Sequence, residues 1–176
     1  MKSAFISMIV YCCFLLFACA NQNPTSNDNN STPTPEKQNQ AQKVTWTELY
    51  KGGMSAVEQP KQLVVTNQDA YSTLWAETFG YVINPVPEIP KVDFSQNVVV
   101  AAFMGQVNTG GHEIKVKSVE QTDGETTVKL LYRTPAQNCP VTDAQENPCL
   151  FFSLPTNLTG SNKVDIQVES ETYHCD

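Results

Sequence analysis

The sequence has little charge and no cluster of positive charge. Only 16% of its 176 residues are charged, and 11 Lys and Arg stand against 18 Asp and Glu, which gives a formal net charge of −7 and a pI near 4.8. Binding of nucleic acid requires a basic surface, so this composition argues against a nucleic-acid partner.

The spaced motifs of common enzyme classes are also missing. The sequence contains no Gly-x-Ser-x-Gly nucleophile motif and no Gly-x-x-x-x-Gly-Lys-Ser/Thr phosphate loop. His112-Glu113 begins like the zinc-binding His-Glu-x-x-His motif, but Val116 stands where the second His is required. Spacing does not exclude a pair of carboxylates, yet solvated surface acids are the commoner case. We therefore expect a protein that is not an enzyme and has no cofactor.

No apolar run reaches the roughly 20 residues of a membrane-spanning helix. The longest apolar block lies in the first eighteen residues, after the single charge of Lys2, and is typical of a signal peptide over residues 1–18. Its end, Leu16-Phe17-Ala18-Cys19, resembles the lipobox of bacterial lipoproteins, which implies that Cys19 carries a lipid and anchors the chain to a membrane. An ordinary secretory peptide and an uncleaved anchor are the alternatives.

A polar segment follows Cys19. Ala20 to Lys43 contains no aromatic and no branched aliphatic residue, so residues 19–43 are predicted to form a lipidated, disordered tether. A flexible chain of this length has an end-to-end distance of about 25–30 Å. Ala20 and Asn21 rather than Asp stand directly after Cys19, which resembles lipoproteins sorted to the outer membrane. The expected location is the bacterial cell envelope, with the periplasmic face and the cell surface left open.

Of the six cysteines, Cys12 and Cys13 would leave with the signal peptide and Cys19 would be lipidated. The remaining three are Cys139, Cys149 and Cys175. We favour a Cys139–Cys149 disulfide, which closes a loop of about 10 residues, while Cys175 could pair with either of them or stay free. A metal site made of Cys139, Cys149, His174 and Cys175 lacks the Cys-x-x-Cys spacing, so no metal is expected.

Residues 44–176 are predicted to form one β-rich domain. Strand-like runs separated by turn residues lie at 44–50, 62–66, 97–104, 113–119, 126–134, 150–154 and 164–168. The apolar run at 97–104 suits a central strand that is buried on both faces. The prediction is a mainly β (α+β) fold in which about seven mostly antiparallel strands form a sandwich or a barrel-like sheet.

One helix is predicted to cover this sheet. Asn67 is a good N-cap, Asp69 suits the positive end of the helix dipole, and Gly80 ends the pattern. An apolar stripe with helical spacing lies between them, at Tyr71, Leu74, Trp75 and Phe79.

Two loops are candidates for partner binding, because loops on a rigid sheet are the usual place for recognition. The first is rich in glycine and small polar residues, and its candidate residues are Gly105, Asn108, Thr109, Gly110, Gly111 and His112. A hairpin connection with a bulge is the structural alternative, and positive φ angles are expected at its glycines. The second loop carries Pro135, Pro140 and Pro148, and would stand beside the first if neighbouring strands carry both.

Several residues together resemble the C-terminal domain of the PrcB family of protease-complex subunits. They are Val98-Val99-Val100 with Phe103 and Gly105, then Thr109-Gly110-Gly111 with Ile114 and Val116, and later Pro135 and Pro148. The resemblance covers roughly residues 45–154. It implies a lipid-anchored, non-enzymatic protein that assembles or stabilises a protease complex of the cell envelope.

Two other functions remain open at this point. Asn108-Thr109-Gly110-Gly111 resembles the inhibitory loop of chagasin-type protease inhibitors, although that loop's proline is missing. Trp46 and Trp75 could serve a binder of small ligands or glycans, but aromatic residues of this kind are equally well explained as core.

Overall fold

The structure is a computed structural model that describes residues 41–155 and 163–176. The predicted signal peptide, Cys19 and most of the predicted tether lie outside the described residues. Eight strands and one helix are seen in the described part of the chain. They are β1 (Gln42–Lys43), β2 (Thr47–Gly52), β3 (Lys61–Val65), α1 (Gln68–Phe79), β4 (Asn97–Phe103), β5 (Glu113–Thr122), β6 (Glu125–Pro135), β7 (Cys149–Pro155) and β8 (Val164–Tyr173).

The strands form two four-stranded sheets, with orders β1-β5-β6-β8 and β2-β7-β4-β3. Every pairing is antiparallel except β6 with β8. The mainly β fold class with one helix is confirmed, and of the two predicted architectures the sandwich is the one observed. Helix α1 covers the outer face of the second sheet, which makes a third layer.

Strand β4 shows why the second sheet is buried on both faces. Its residues alternate between two cores: Val98 and Val100 face the first sheet, whereas Val99 and Phe103 face α1. All its residues after Asn97 are buried. Such a strand has no polar face, which explains the continuous apolar run and confirms the prediction of a strand buried on both faces.

Helix α1 begins and ends where the sequence predicts. The side chain of Asn67 accepts a hydrogen bond of 2.9 Å from the backbone N–H of Ala70, and Gly80 is the C-cap. The predicted apolar stripe packs on the second sheet as an aromatic cluster. The indole N–H of Trp75 also donates to the carbonyl of Pro87, which fixes the proline-rich segment after the helix.

The start of the domain differs from the prediction. The predicted strand at 44–50 forms only from Thr47 onward, because the chain leaves β1 in the first sheet after Lys43 and enters β2 in the second sheet at Thr47. Val44 lies between the two strands, buried in the core between the sheets. β1 pairs with β5 through Gln42 and Lys43, so the paired structure starts two residues upstream of the expected boundary at Val44.

Strand β8 runs parallel to β6 over its whole length, from Thr126 opposite Val164 to Pro135 opposite Tyr173. Its alternating pattern predicts a strand with one solvent face but not the direction of pairing, because side-chain alternation is the same in both directions. The parallel register returns the C-terminus to the end of the domain where β6 ends. Within the described ranges no helix has the length and apolar character needed to cross a bilayer.

This register makes the predicted Cys139–Cys149 disulfide wrong. The structure pairs Cys139 with Cys175, two residues beyond the end of β8. Cys149 begins β7 and is buried with a free thiol in the core beneath α1. Burial raises the pKa of this thiol to about 12. Since two of its four ligands are bonded to each other, the alternative metal site is also excluded.

Candidate functional site

The two predicted loops lie side by side at one end of the sandwich. The glycine loop (104–112) connects β4 to β5, and the proline loop (136–148) connects β6 to β7. Because β4 pairs with β7 and β5 pairs with β6, both loops cross between the same two sheets at the same end. The loops are therefore neighbours, as predicted, and the alternative of a hairpin connection is wrong because β4 and β5 belong to different sheets.

Backbone hydrogen bonds join the two loops. Val107 and Glu146 exchange a reciprocal pair, with N···O distances of 2.8 and 3.0 Å. The N–H of Gly110 donates to the carbonyl of Thr142 over 3.0 Å. These bonds give each loop the partner that an isolated loop lacks, so the two loops act as one surface.

Close contact between the loops depends on Gly110. A Cβ atom at this position would overlap the hydroxyl of Thr142 and lie 3.1 Å from the carboxylate of Glu146. Gly111 has φ +85° and Gly105 has φ +79°, so two of the three glycines have the predicted positive φ. Gly105 and Gly110 are buried, and their role is to shape the glycine loop rather than to present a surface.

Tyr173 and the disulfide hold the loops from the other side. The hydroxyl of Tyr173 donates to the carbonyl of Gly111 over 2.8 Å, and its own carbonyl accepts from the N–H of Ala136. The guanidinium of Arg133 lies over the Tyr173 ring, 4.7 Å from its centroid. Two residues further on, Cys175 is bonded to Cys139 of the proline loop. The C-terminal segment thus braces both loops.

His112 stands at the end of the glycine loop, half-buried. Its Nε2 lies 3.4 Å from the hydroxyl of Thr109, while Nδ1 is buried and has no hydrogen-bond partner in the described structure. Burial lowers the pKa of His112, and the charge of Glu146 opposes this only in part. The neutral imidazole is therefore the favoured form in the folded protein.

This lowered pKa predicts that acid weakens the glycine loop. An unfolded His takes up a proton near pH 6.5, before the folded His112 does, so stability is full above about pH 6.5 and falls as the pH is lowered. We expect the urea midpoint to fall less between about pH 7.5 and pH 5.5 in a His112→Gln variant than in the wild type. Equal losses in the two proteins would contradict this role for His112.

The exposed part of the site is a small surface that we call the loop tip, made of Asn108, Gly111 and residues 140–145. Its side chains are short or uncharged apart from Asp143, and Val141 is 40% exposed. No group of three or more potential metal-ligating side chains occurs in the described ranges. The loop tip offers shape, amide groups and apolar contact, which are means by which proteins recognise one another.

The predicted site residues form two groups: some are exposed at the surface, and the others are buried or half-buried and hold the loops in place. Asn108, Gly111 and Pro140 lie on the exposed surface, and Thr109 and His112 are half-buried behind it. Pro135 is the last residue of β6, and Pro148 is buried just before β7. Sequence reasoning missed the support from Tyr173, Thr142 and Glu146. The local signal for it is the aromatic Tyr173, two residues before Cys175.

Comparison with protein families identifies the segment that carries this site. Residues 98–155 match the family model described as PrcB C-terminal, which confirms the resemblance seen in the sequence for this segment, while residues 45–97 of the expected range lie outside the match. The match begins in β4 and ends with β7, so it includes both loops and the four strands that carry them. Neither the curated proteins nor the solved structures contain a match to this chain.

Proposed function

We propose that this protein is a non-catalytic, lipid-anchored subunit of a cell-envelope protease complex, and that it binds its partner through the loop tip. One observation carries the proposal: the segment that matches the PrcB C-terminal family is the four-stranded unit that holds both loops. A surface that is already ordered loses little conformational entropy on binding, so the bracing by Tyr173 and the disulfide favours recognition.

The chemistry of the site supports binding rather than catalysis. His112 has one nitrogen near a threonine hydroxyl and the other buried without a partner in the described structure. A general base needs a nucleophile within about 2.6–3.2 Å and a group that orients the base. The Thr109 hydroxyl is farther away, at 3.4 Å, and no group among the described residues orients the ring through Nδ1. Burial raises the pKa of the Cys149 thiol to about 12, so the free cysteine of the described residues stays protonated and is a poor nucleophile at neutral pH.

Two arginine substitutions in the loop tip test the binding function. In the variant Asn108→Arg with Ala144→Arg, both new side chains are long and charged on a mainly uncharged surface, and both positions are exposed, so the fold should be kept. We expect recovery of an envelope protease after cross-linking in cells to fall at least about tenfold, the effect of losing about 1.4 kcal/mol of binding.

The matched control is Thr122→Arg, because Thr122 is exposed at the hairpin turn between β5 and β6, at the opposite end of these strands. Its recovery of the protease should equal that of the wild type. If the loop-tip variant also recovers the protease normally, the loop tip is not the binding surface.

The anchor is tested separately. Cys19→Ser should abolish incorporation of a palmitate analogue and move the protein from the detergent phase to the aqueous phase, because buried acyl chains supply the membrane affinity. Retention in the detergent phase would contradict lipidation at Cys19.

Inhibition of a protease is the alternative function, and it predicts that the purified protein lowers the turnover of papain at micromolar concentration. Our proposal predicts no change.

A further inference from the structure

A groove of about 400 Å³ runs between β3 and α1, and none of its lining residues belongs to either loop. Leu63 and Val65 of β3 form one side, and Ala70, Thr73 and Leu74 of α1 form the other. The groove is lined mainly by apolar groups and is open to solvent along its length. Its volume is at the lower end of the range for binding pockets, which suits a few side chains rather than a large cofactor.

Strand β3 presents an open edge to this groove. Among the strands that the structure describes, it is the last of its sheet and pairs only with β4, through five consecutive residues without a bulge. In an antiparallel edge strand, alternate residues direct their N–H and C=O groups away from the sheet. These groups are ready to pair with a further strand, which is how many proteins bind extended peptides at a sheet edge.

The other three sheet edges are protected. β1 has only two residues, and β2 carries a bulge between Glu48 and Tyr50. β8 is long, but its acidic side chains form ion pairs across the sheet, including Glu169 with Lys117 and Glu171 with Arg133. Short strands, bulges and charges are the usual devices that prevent edge pairing. β3 has no bulge and is the edge that borders an apolar groove.

We propose that the groove binds an extended segment of a partner protein, which adds to β3 as a fifth strand and places aliphatic side chains into the groove at alternate positions. The lining sets the preference for aliphatic side chains, and the spacing follows from the two-residue repeat of a strand. The chain's own tether cannot fill this role, because residues 20–43 contain no aromatic and no branched aliphatic residue.

Charges mark one end of the groove. Lys61 and Glu77 both line it, both are exposed, and neither forms an ion pair with any residue that the structure describes. A bound segment would therefore gain from a charged residue next to its aliphatic positions. The site is separate from the loop tip, so it stands or falls independently of the proposed function.

A labelled peptide tests the groove directly. The probe is a short peptide of alternating valine and threonine with a lysine and a glutamate together at one end, titrated with the full chain in detergent and followed by fluorescence anisotropy. We expect saturable binding below about 1 mM. Thr73→Trp fills the groove from an exposed position of α1 and should weaken binding at least about tenfold, and Ala70→Phe is a second variant with the same expected effect.

Ser72→Trp is the matched control, since Ser72 is exposed on α1 but does not line the groove. It should bind as the wild type does, and bound peptide should slow amide hydrogen exchange in β3. Absence of saturable binding overturns the proposal, as does unchanged affinity in both filled variants. The proposal is also overturned if a peptide with proline in place of each threonine binds equally well. It is overturned as well if the protein associates with itself and the peptide then no longer binds.

Discussion

Phe151→Ala is expected to lower the free energy of unfolding by about 3–5 kcal/mol. Phe151 is fully buried at the centre of the second sheet, where its ring lies 5.2 Å from Trp75 and 5.7 Å from Phe103 between ring centroids. Tyr71 and Phe79 of α1 complete the cluster around it. Truncation leaves a cavity between the sheet and α1 that rigid neighbours cannot fill. Urea unfolding of the full chain measures the loss.

The matched control is Tyr81→Ala. Tyr81 is an aromatic residue just beyond α1 that is 94% exposed, so its truncation should change the free energy of unfolding by no more than about 0.5 kcal/mol. A domain of ordinary stability has about 5–15 kcal/mol in total, so the Phe151 variant should be partly unfolded at modest urea concentrations. A loss below about 1 kcal/mol at Phe151 would contradict the central position of the aromatic cluster.

Features that depend on a short stretch of chain were predictable from the sequence. Helix α1 follows from Asn67, the spacing of its apolar stripe and Gly80, and each of these acts within a few residues. β4 follows from an unbroken apolar run, because a strand buried on both faces needs no polar side chain. The β5–β6 hairpin follows from Asp123-Gly124, both of which adopt positive φ in its turn.

Features that depend on distant pairing were not predictable. The start of the first predicted strand at Thr47 rather than Val44 depends on where the chain crosses between the sheets, and neither residue signals that change locally. The parallel pairing of β8 with β6 leaves no mark on the alternation of β8. The disulfide depends on that pairing, since Cys175 reaches Cys139 only because Tyr173 lies opposite Pro135.

The same contrast applies to the loop tip. The cluster of glycines indicates unusual backbone and a place of close approach, and both are observed at Gly110 and Gly111. The element approached is the proline loop rather than a partner, because Thr142 occupies the space beside Gly110. The glycines therefore shape the loop tip by bringing the two loops together. The groups exposed on it are the amide of Asn108 and the proline-loop residues around Val141.

Loss of the Cys139–Cys175 disulfide should have the second large effect on stability. The two cysteines are 36 residues apart in sequence, and closing a loop of this length stabilises a fold by about 3–4 kcal/mol in the chain-entropy model. We expect the double variant Cys139→Ser with Cys175→Ser to lose about this much free energy of unfolding in urea. The proline loop should also exchange its amide hydrogens faster, because one of its two braces is gone.

Cys149→Ala separates this pairing from the one favoured by sequence proximity. Removing a buried free thiol leaves only a small cavity, so we expect a loss of about 1 kcal/mol, and peptide mapping without reductant should still recover the Cys139–Cys175 link. If Cys149 were the true partner of Cys139, this variant would lose the cross-link, and alkylation of the native protein would label Cys175 alone. The register of β8 on β6 requires a different result. The Cys149 thiol should stay unlabelled until the protein unfolds, and Cys175 should stay unlabelled throughout because it is held in the disulfide.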